Sequence, residues 1–413
     1  MPVIATARAV LLLPLFVTLA CRHGTTAPAA DPAGTRLDAS DADPGRLYVR
    51  AWSQNGGGDA DGALATLRQL DARGWDVPLD PRDFPGLADR AEWRAIAERA
   101  AARAPRTAQA PVAVTLQEPG LVAEGIAADP RDGALYVGSI RLRKIVRVAP
   151  DGTVRDAVPS ATGGLGRVLG LKIDAERGLL WAAANRGDAG TATGRGTVSG
   201  VYAFDLETWA PVRAVTIDGA GHLLNDVALG ADGTVFVTDS EAGAVYRLVP
   251  GASSLAEVVA EGTFVYANGI AFAEGRLLVA DALGLWEVNP QGGGGAPRRL
   301  AGPPGFPLGG IDGLSAQGRT LVAVQNGLGT PRIVRLELAA GAGRVERAWV
   351  LEAANPLWHL PTTGALARGA FLYIGNSHVD GWKDSTIDPA GMVETRLHRL
   401  EIAVDEPARA PAP

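Results

Sequence analysis

Four polar residues occupy the same place in a repeated pattern, directly ahead of a short apolar run: Glu124, Asn225, Asn268 and Asp312. Carboxylate and amide oxygens are the donors that hard cations prefer, so the set predicts a site for one divalent metal ion, with Ca²⁺ preferred and Zn²⁺, Mg²⁺ or Mn²⁺ as alternatives. Asp312 is the candidate catalytic residue, because an acidic ligand can also orient or deprotonate a water molecule that the metal activates. The alternative interpretation is that each residue only serves a turn.

Each of the four runs is followed by a glycine-containing turn and a second apolar run, as in Asp232-Gly233 ahead of Val235-Phe236-Val237. A turn of this kind between two apolar runs predicts a β-hairpin. The pattern recurs 43 residues after Asn225 and 44 residues after Asn268, and two weaker units begin near residues 170 and 363. Repeats of about 40–50 residues built from short strands are typical of β-propellers. The sequence therefore predicts an all-β protein, a six-bladed β-propeller.

The hairpin geometry predicts where the polar residues lie. The innermost strand of each blade begins at the polar residue, and the next strand returns to the same face because the hairpin reverses the chain. The four candidate ligands are therefore expected to converge at one end of the central axis. The second strands are expected to end at the same face, at Asn185, Asp239, Asp281, Asn326 and Asn376. His222, Asp239, Asp281 and His378 are predicted to contact substrate. The alternative for the two aspartates is local loop capping, and the alternative for the two histidines, which could act as a general base, is an ordinary polar loop residue.

Residues 116–402 resemble the senescence marker protein/gluconolactonase/luciferin-regenerating enzyme family, which includes regucalcin. The motifs that carry the resemblance are Glu124, Leu224-Asn225-Asp226, Asn268-Gly269 and Asp312-Gly313, in this order. The resemblance implies a six-bladed propeller with one axial divalent metal held by these Glu, Asn, Asn and Asp positions. Sugar-lactonase members carry an arginine where this chain has Leu223, which implies a less polar pocket and a preference for less hydroxylated lactones.

The chain has 413 residues and a formal net charge of −6, and its lysines and arginines are scattered, so no nucleic-acid partner is predicted. Cys21 follows the apolar run 9–20, with Arg8 before it, a pattern typical of a signal peptide that ends at a bacterial lipoprotein cysteine. We expect a signal peptide over 1–21, lipidation of Cys21 and a tether over 22–43. This places the protein in the periplasm or cell envelope, with membrane contact only through the lipid anchor; ordinary secretion is the alternative.

A helical segment is predicted over 44–104, because apolar residues recur at helical spacing and Asp59 or Asp61 can cap its second helix. It resembles a tetratricopeptide-like helical pair, and it is either a docking module for a protein partner or a helical cap packed on the propeller. The propeller is expected over 112–403. Residues 112–116 are expected to pair beside 396–402 and close the ring. A glycine-rich insert at 186–199 has no assigned role.

These expectations combine into one predicted function. The protein is expected to be a metal-dependent hydrolase of the lactonase or esterase type, in which a metal-activated water attacks the carbonyl of a small lactone or ester substrate. The sequence has no Gly-x-Ser-x-Gly elbow and no His-Glu-x-x-His motif, which argues against a serine or zinc-peptidase type of hydrolase. The alternatives are a non-enzymatic ligand-binding propeller and a protein-interaction propeller, each with a structural metal.

Overall fold

The computed structural model of the protein describes residues 43–75, 78–105, 107, 109–186, 198–293, 295–341, 343–379 and 392–402. Cys21, nearly all of the predicted tether and residues 187–197 of the predicted insert lie outside the described residues, so those expectations stay predictions. In the part of the chain that is described, no helix is long and apolar enough to cross a membrane.

Six antiparallel four-stranded sheets form the blades of the propeller. Blade 1 contains β2 (Ala123–Ala128), β3 (Leu135–Ser139), β4 (Ile145–Val148) and β5 (Val154–Val158). Blade 2 contains β6 (Arg167–Asp174), β7 (Leu179–Arg186), β8 (Val198–Asp205) and β9 (Pro211–Asp218). Blade 3 contains β10 (Leu224–Leu229), β11 (Val235–Asp239), β12 (Ala244–Leu248) and β13 (Ala256–Val259).

The remaining blades follow the same plan. Blade 4 contains β14 (Ile270–Ala273), β15 (Arg276–Ala280), β16 (Leu285–Val288) and β17 (Arg298–Arg299). Blade 5 contains β18 (Ile311–Gln317), β19 (Thr320–Gln325), β20 (Arg332–Leu338) and β21 (Val345–Ala353). Blade 6 contains β22 (Gly364–Ala367), β23 (Ala370–Ile374), β24 (Thr395–Glu401) and the first strand of the chain, β1 (Val112–Leu116). The predicted six-bladed architecture is confirmed.

The innermost strands form a ring around the axis. Each of β2, β6, β10, β14, β18 and β22 contacts the innermost strand of the next blade, and β22 contacts β2. The apolar core is divided accordingly, since each pair of neighbouring blades shares its own buried cluster. Such interblade packing follows from the alternation along the strands, which gives every sheet two apolar faces to bury.

The two ends of the ring meet in blade 6, as the sequence predicts. Strand β1 pairs with β24 in an antiparallel register that places Val112 opposite His398 and Leu116 opposite Thr395. This pairing removes the edge that β24 would otherwise present to solvent.

The hairpins that join the first and second strands of blades 1 and 3 lie at the face opposite the predicted ligands, and they form by the predicted turn chemistry. Asp232 Oδ1 accepts a hydrogen bond of 2.9 Å from the backbone N–H of Thr234, and Gly233 adopts a φ of 85°. The equivalent turn of blade 1 repeats this arrangement, with Asp132 and Gly133 in the same two roles. Glycine suits these positions because other residues rarely adopt a positive φ.

Within the described residues, three α-helices precede the propeller: α1 (Pro44–Gly56), α2 (Ala60–Ala72) and α3 (Ala91–Arg103). Asp59 caps α2 by accepting a hydrogen bond from the backbone N–H of Gly62, which decides between the two predicted capping residues. The helices share one buried apolar cluster with Leu283 and Leu328, which lie in loops at the ends of β15 and β19. The helical segment is therefore packed on the face where the second strands end; its role as a docking module stays a prediction.

Candidate functional site

Three of the four predicted ligands lie at irregularities of the innermost strands. The pairing between first and second strands shifts between Ala123 and Ile126, between Leu224 and Val227, and between Ile311 and Leu314. Glu124, Asn225 and Asp312 fall within these shifts, each at the start of its strand. A β-bulge re-aims the side chains of the bulged residues. Asn268 lies just ahead of β14 and is tied to the end of β15, since its backbone N–H donates to the carbonyl of Ala280 at 2.8 Å.

The glycines beside the ligands allow the innermost strands to approach closely. A Cβ atom on Gly125 would lie 2.5 Å from the carbonyl oxygen of Leu169 in the next blade. A Cβ atom on Gly269 would lie 2.4 Å from the carbonyl oxygen of Asp312, and one on Gly313 would lie 2.6 Å from the Cα of Thr363. These glycines do not have a positive φ. The Asn-Gly and Asp-Gly pairs are therefore parts of packed strand starts rather than turns.

Asp312 lies in contact with two amides. Asn268 Nδ2 donates to Asp312 Oδ1 at 2.8 Å, and Asn326 Nδ2 donates to Asp312 Oδ2 at 2.6 Å. The three residues are 5% exposed or less. The structure thus brings together two of the predicted ligands across blades 4 and 5, and it adds Asn326, which follows β19 at the predicted face.

The carboxyl groups near Asp312 shift one another's pKa values. Burial, helped by the nearby Asp226, raises the pKa of Asp312 to about 7 against the effect of its two amide partners. Burial also raises the pKa of Glu124 well above its usual range, and the nearby Asp312 acts in the same direction. The Thr362 hydroxyl favours the ionised form of Glu124 from nearby, although the geometry falls short of a hydrogen bond. Glu124 and Asp312 therefore lie within electrostatic reach of each other.

Asn225 is linked to Asn268 through buried hydroxyl groups. Asn225 Nδ2 donates to Ser240 Oγ at 2.9 Å, and that hydroxyl donates to the carbonyl of Ala267 at 2.6 Å. Two residues before Ser240, Thr238 Oγ1 accepts from the backbone N–H of Asp226 and donates to the carbonyl of Asn268. These bonds fix the relative positions of the two asparagine segments in blades 3 and 4.

Asp226 is the charged neighbour that the sequence did not mark as a site residue. Burial raises its pKa to about 6, and Lys172 acts in the opposite direction. Its carboxylate accepts hydrogen bonds from the backbone N–H groups of Val227 and Ile270, so it joins blade 3 to blade 4. Its place directly after Asn225 was visible in the sequence, but the sequence alone does not show that it reaches the next blade.

The donor set fits a hard divalent cation. Glu124 Oε2 is buried and has no hydrogen-bond partner among the described residues, and Asn225 has its amide nitrogen engaged, which leaves its oxygen for another partner. Across the described ranges, no group of three or more histidine, cysteine, aspartate and glutamate side chains is spaced to hold a metal ion. A cation at this place would thus depend on amide oxygens as well as carboxylates, a mixture that suits Ca²⁺.

The residues predicted to contact substrate have local partners. Asp239 Oδ2 lies 2.7 Å from His222 Nδ1, and its Oδ1 accepts from the backbone N–H groups of Leu223 and Ala242. Hydrogen bonding to Asp239 raises the pKa of His222 above its ordinary value. Asp239 therefore performs the capping role that was the alternative, while orienting a histidine that is 15% exposed. Contact of His222 and Asp239 with substrate stays a prediction.

Asp281 and His378 are also held locally. Asp281 Oδ1 accepts from the backbone N–H groups of Leu283 and Gly284 and from the indole N–H of Trp286. This capping organises the loop on which the helical segment packs. His378 is buried, has a φ of 58°, and its ring stacks on His359 with 4.6 Å between centroids. Substrate contacts of these two residues also remain predictions.

No protein-family model matches the chain, and no curated protein sequence does either. Among solved structures, a calcium-binding regucalcin of Agrobacterium tumefaciens is 16% identical, with a TM-score of 0.49 over 71% of this chain and 95% of that one. A gluconolactonase of Xanthomonas campestris is 18% identical, with a TM-score of 0.45 over 69% and 88%. An aldose sugar dehydrogenase of Streptomyces coelicolor is 15% identical, with a TM-score of 0.47 over 72% and 100%.

These structures differ in activity although all resemble this chain to a similar degree. Likeness at this level does not choose among a calcium-binding protein, a lactonase and a dehydrogenase. The order of the strands in the six sheets defines the six-bladed propeller, and only the residues of the site bear on the function.

Proposed function

We propose that this protein is a metal-dependent hydrolase of the lactonase or esterase type. The observation that carries the proposal is the arrangement around Asp312: a buried carboxyl group held between two amides, within electrostatic reach of Glu124, at the start of an innermost strand. Glu124, Asn225, Asn268 and Asp312 would hold one divalent cation, preferably Ca²⁺. When bound, that cation would supply Lewis-acid polarisation of a carbonyl group and favour deprotonation of a water molecule.

Asp312 is assigned the role of general base. Burial raises the pKa of its carboxyl group in the cation-free protein, which favours proton uptake, whereas a bound cation would act in the opposite direction. The amides of Asn268 and Asn326 hold the carboxylate in one orientation from both sides. Glu124 adds a second negative charge, and the amide oxygens add neutral donors.

The reaction balances with water as the only co-substrate. The water oxygen forms a bond to the carbonyl carbon while one of its protons passes to the Asp312 carboxylate. The bond between that carbon and the ring or ester oxygen then breaks, and the leaving oxygen takes up the proton from Asp312. A lactone thus gives a hydroxy acid, and an ester gives an acid and an alcohol.

The surroundings of Leu223 support a substrate with few hydroxyl groups. Leu223 packs against a buried apolar cluster of Val122, Ile140 and Leu169. Val122 stands two residues before Glu124, and Leu223 stands two residues before Asn225, so the apolar groups adjoin the candidate ligands. We expect aliphatic lactones to be preferred over aldonolactones.

The test begins with cation content and hydrolysis of the purified full chain. The protein is stripped with a chelator, reloaded with Ca²⁺, Zn²⁺, Mg²⁺ or Mn²⁺, and assayed against aliphatic lactones, aldonolactones and aryl esters. We expect hydrolysis only in the reloaded protein, and a loss of about 10²–10⁴-fold in kcat for Asp312→Asn at full cation occupancy. Asp89→Asn, which changes an exposed carboxylate of the helical segment, should retain full activity.

Two results would overturn parts of the proposal. If no lactone or ester is hydrolysed in a cation-dependent way, the protein is a binding or interaction propeller. If Asp312→Asn remains fully active when loaded, Asp312 is only a ligand. The substrate preference is tested separately with Leu223→Arg, which should improve the ratio of aldonolactone to aliphatic turnover, and with Leu223→Met, which should leave that ratio unchanged.

A further inference from the structure

Three buried side-chain oxygens near Asp312 have no hydrogen-bond partner among the described residues: Glu124 Oε2, Asn326 Oδ1 and Thr362 Oγ1. Their residues are only 6%, 3% and 2% exposed. An unsatisfied buried polar group is unfavourable, because it has lost its hydrogen bonds to water and has not replaced them. Since native interiors satisfy most such groups, three at one place point to a bound species that completes them.

The orientation of Asn326 is fixed by its amide nitrogen. Asn326 Nδ2 donates to Asp312 Oδ2 at 2.6 Å and to the carbonyl oxygen of Pro361 at 2.9 Å. Both of these partners are acceptors, so the amide cannot be reversed without losing both bonds. Oδ1 is therefore the atom left over, and it stands beside the Asp312 carboxylate without a donor.

Thr362 occupies the position in blade 6 that the predicted ligands occupy in blades 1, 3, 4 and 5. It lies just ahead of β22, as Asn268 lies just ahead of β14. Its carbonyl accepts a hydrogen bond of 3.0 Å from the backbone N–H of Gly313, next to Asp312. The adjacent Thr363 hydroxyl donates to the carbonyl of Glu124, which joins the same segment to blade 1. Thr362 thus lies between the two candidate acidic ligands.

We propose that Asn326 Oδ1 and Thr362 Oγ1 are two further oxygen donors to the cation that the proposed function requires. With Glu124, Asn225, Asn268 and Asp312, they would form a set of six side chains, two of them carboxylates that neutralise a divalent charge. Ca²⁺ takes six to eight oxygen ligands in flexible geometry, whereas Zn²⁺ usually takes four and Mg²⁺ keeps several waters. The set therefore selects Ca²⁺, and blade 6 joins blades 1, 3, 4 and 5 in binding it.

The inference is tested by cation affinity rather than by turnover. The chelator-stripped full chain is titrated with Ca²⁺ by calorimetry, and the Ca²⁺-induced rise in Tm is measured in parallel. Thr362→Val and Asn326→Leu remove one oxygen each at nearly constant volume and should weaken Ca²⁺ binding at least about tenfold. Thr362→Ser retains the hydroxyl, and Asn326→Asp retains an oxygen, so both should bind Ca²⁺ within about threefold of wild type or more tightly.

Asn326→Asp separates a ligand from a positioning residue. If Asn326 acted only by donating its N–H to Asp312, the aspartate, which cannot donate, would lose affinity. Ser315→Ala is the control for a lost interblade hydrogen bond, because the Ser315 hydroxyl donates to the carbonyl of Gly364 at 2.8 Å; it should bind Ca²⁺ as wild type does.

The outcomes are distinguishable from failure of the proposed function. Wild type that binds Ca²⁺, together with Thr362→Val and Asn326→Leu proteins of unchanged affinity, would overturn this inference and leave the hydrolase proposal standing. An unchanged affinity in one of the two variants would exclude that residue from the set. Wild type that binds no divalent cation would overturn both. Weakened binding in both, with recovery in Thr362→Ser, is the expected result.

Discussion

The most direct consequence of the site is that Asp312 should destabilise the cation-free protein as the pH rises. Its buried carboxyl group has a pKa raised from the ordinary 3.8 to about 7. The native state therefore holds a proton that the unfolded state has already released. Stability that is fully present below about pH 4 is then lost progressively as the pH rises towards 7, and the loss levels off above that value. Asp312→Asn removes this titration, so it should lack the contribution of Asp312 to the loss, while other buried carboxyl groups such as Asp226 still contribute.

The size of the effect follows from the same displacement. A raised pKa of this extent corresponds to a free energy on the order of 4 kcal/mol, at roughly 1.4 kcal/mol for each pH unit. Asp312→Asn also introduces an amide that faces two donors, from Asn268 and Asn326, which costs about 1–3 kcal/mol at every pH. The variant should thus be the less stable chain below about pH 4 and equal to or more stable than wild type near pH 8. Relief of the repulsion with Glu124 acts in the same direction.

The assay is denaturant unfolding in the presence of a chelator at pH 5, 6, 7 and 8, followed by tryptophan fluorescence. The quantity of interest is the free energy of unfolding of Asp312→Asn minus that of wild type, which should rise by about 3 kcal/mol from pH 5 to pH 8. Asp89→Asn serves as the control and should follow wild type throughout. A difference for Asp312→Asn that stays constant within about 0.5 kcal/mol would refute the reasoning, because it would mean that this carboxyl group ionises normally.

Three further predictions concern packing and processing. Gly269→Ala should destabilise the protein by about 1–3 kcal/mol and weaken cation binding in calorimetry, because the added Cβ would lie 2.4 Å from the carbonyl oxygen of Asp312. Unchanged stability would show that the innermost strands can separate. Leu328→Ala should lower the free energy of unfolding by about 2–5 kcal/mol, because Leu328 packs against the helical segment. Leu357→Ala, at an exposed site, is the control and should lower it by less than about 0.5 kcal/mol. Equal effects of the two substitutions would indicate a detached helical segment. Cys21→Ser should release the protein from the membrane fraction of a bacterial host, and equal membrane association of both chains would count against lipidation.

The architecture was predictable because its signals are local. The Asp132-Gly133 and Asp232-Gly233 turns lie within a few residues of the strands that they join, and the repeat length is visible in the chain. The closure of the ring by β1 and β24 was predictable too, since the apolar alternation of 112–116 needed a partner and the last blade lacked a strand. Helix α2 needed only its capping aspartate and apolar spacing to be predicted.

The environment of each site residue was less predictable, because it is set by residues from other blades. Asn326 follows its strand in the same way as Asn376 does, and nothing in the sequence says that Asn326 rather than Asn376 donates a hydrogen bond to Asp312. Thr362 is an ordinary loop residue by type. Gly269 suggests a turn in the sequence, but its role depends on a carbonyl 43 residues further along the chain. Such effects depend on the radial packing of the strands rather than on the local pattern.

The same two side chains, Glu124 and Asp312, determine the charge of the site and connect different blades, so activity data on their variants need a second measurement. Glu124 and Asp312 belong to blades 1 and 5, and each raises the cost of ionising the site while no cation neutralises them. A cation held between them would remove that cost and at the same time link blades across the axis, so binding would stabilise the fold according to its concentration relative to Kd. A variant at either position changes stability, cation affinity and proton transfer together. Loss of turnover therefore identifies Asp312 as the base only when cation occupancy is measured in the same sample, and the unfolding experiment without cation isolates the charge of Asp312 from both other effects.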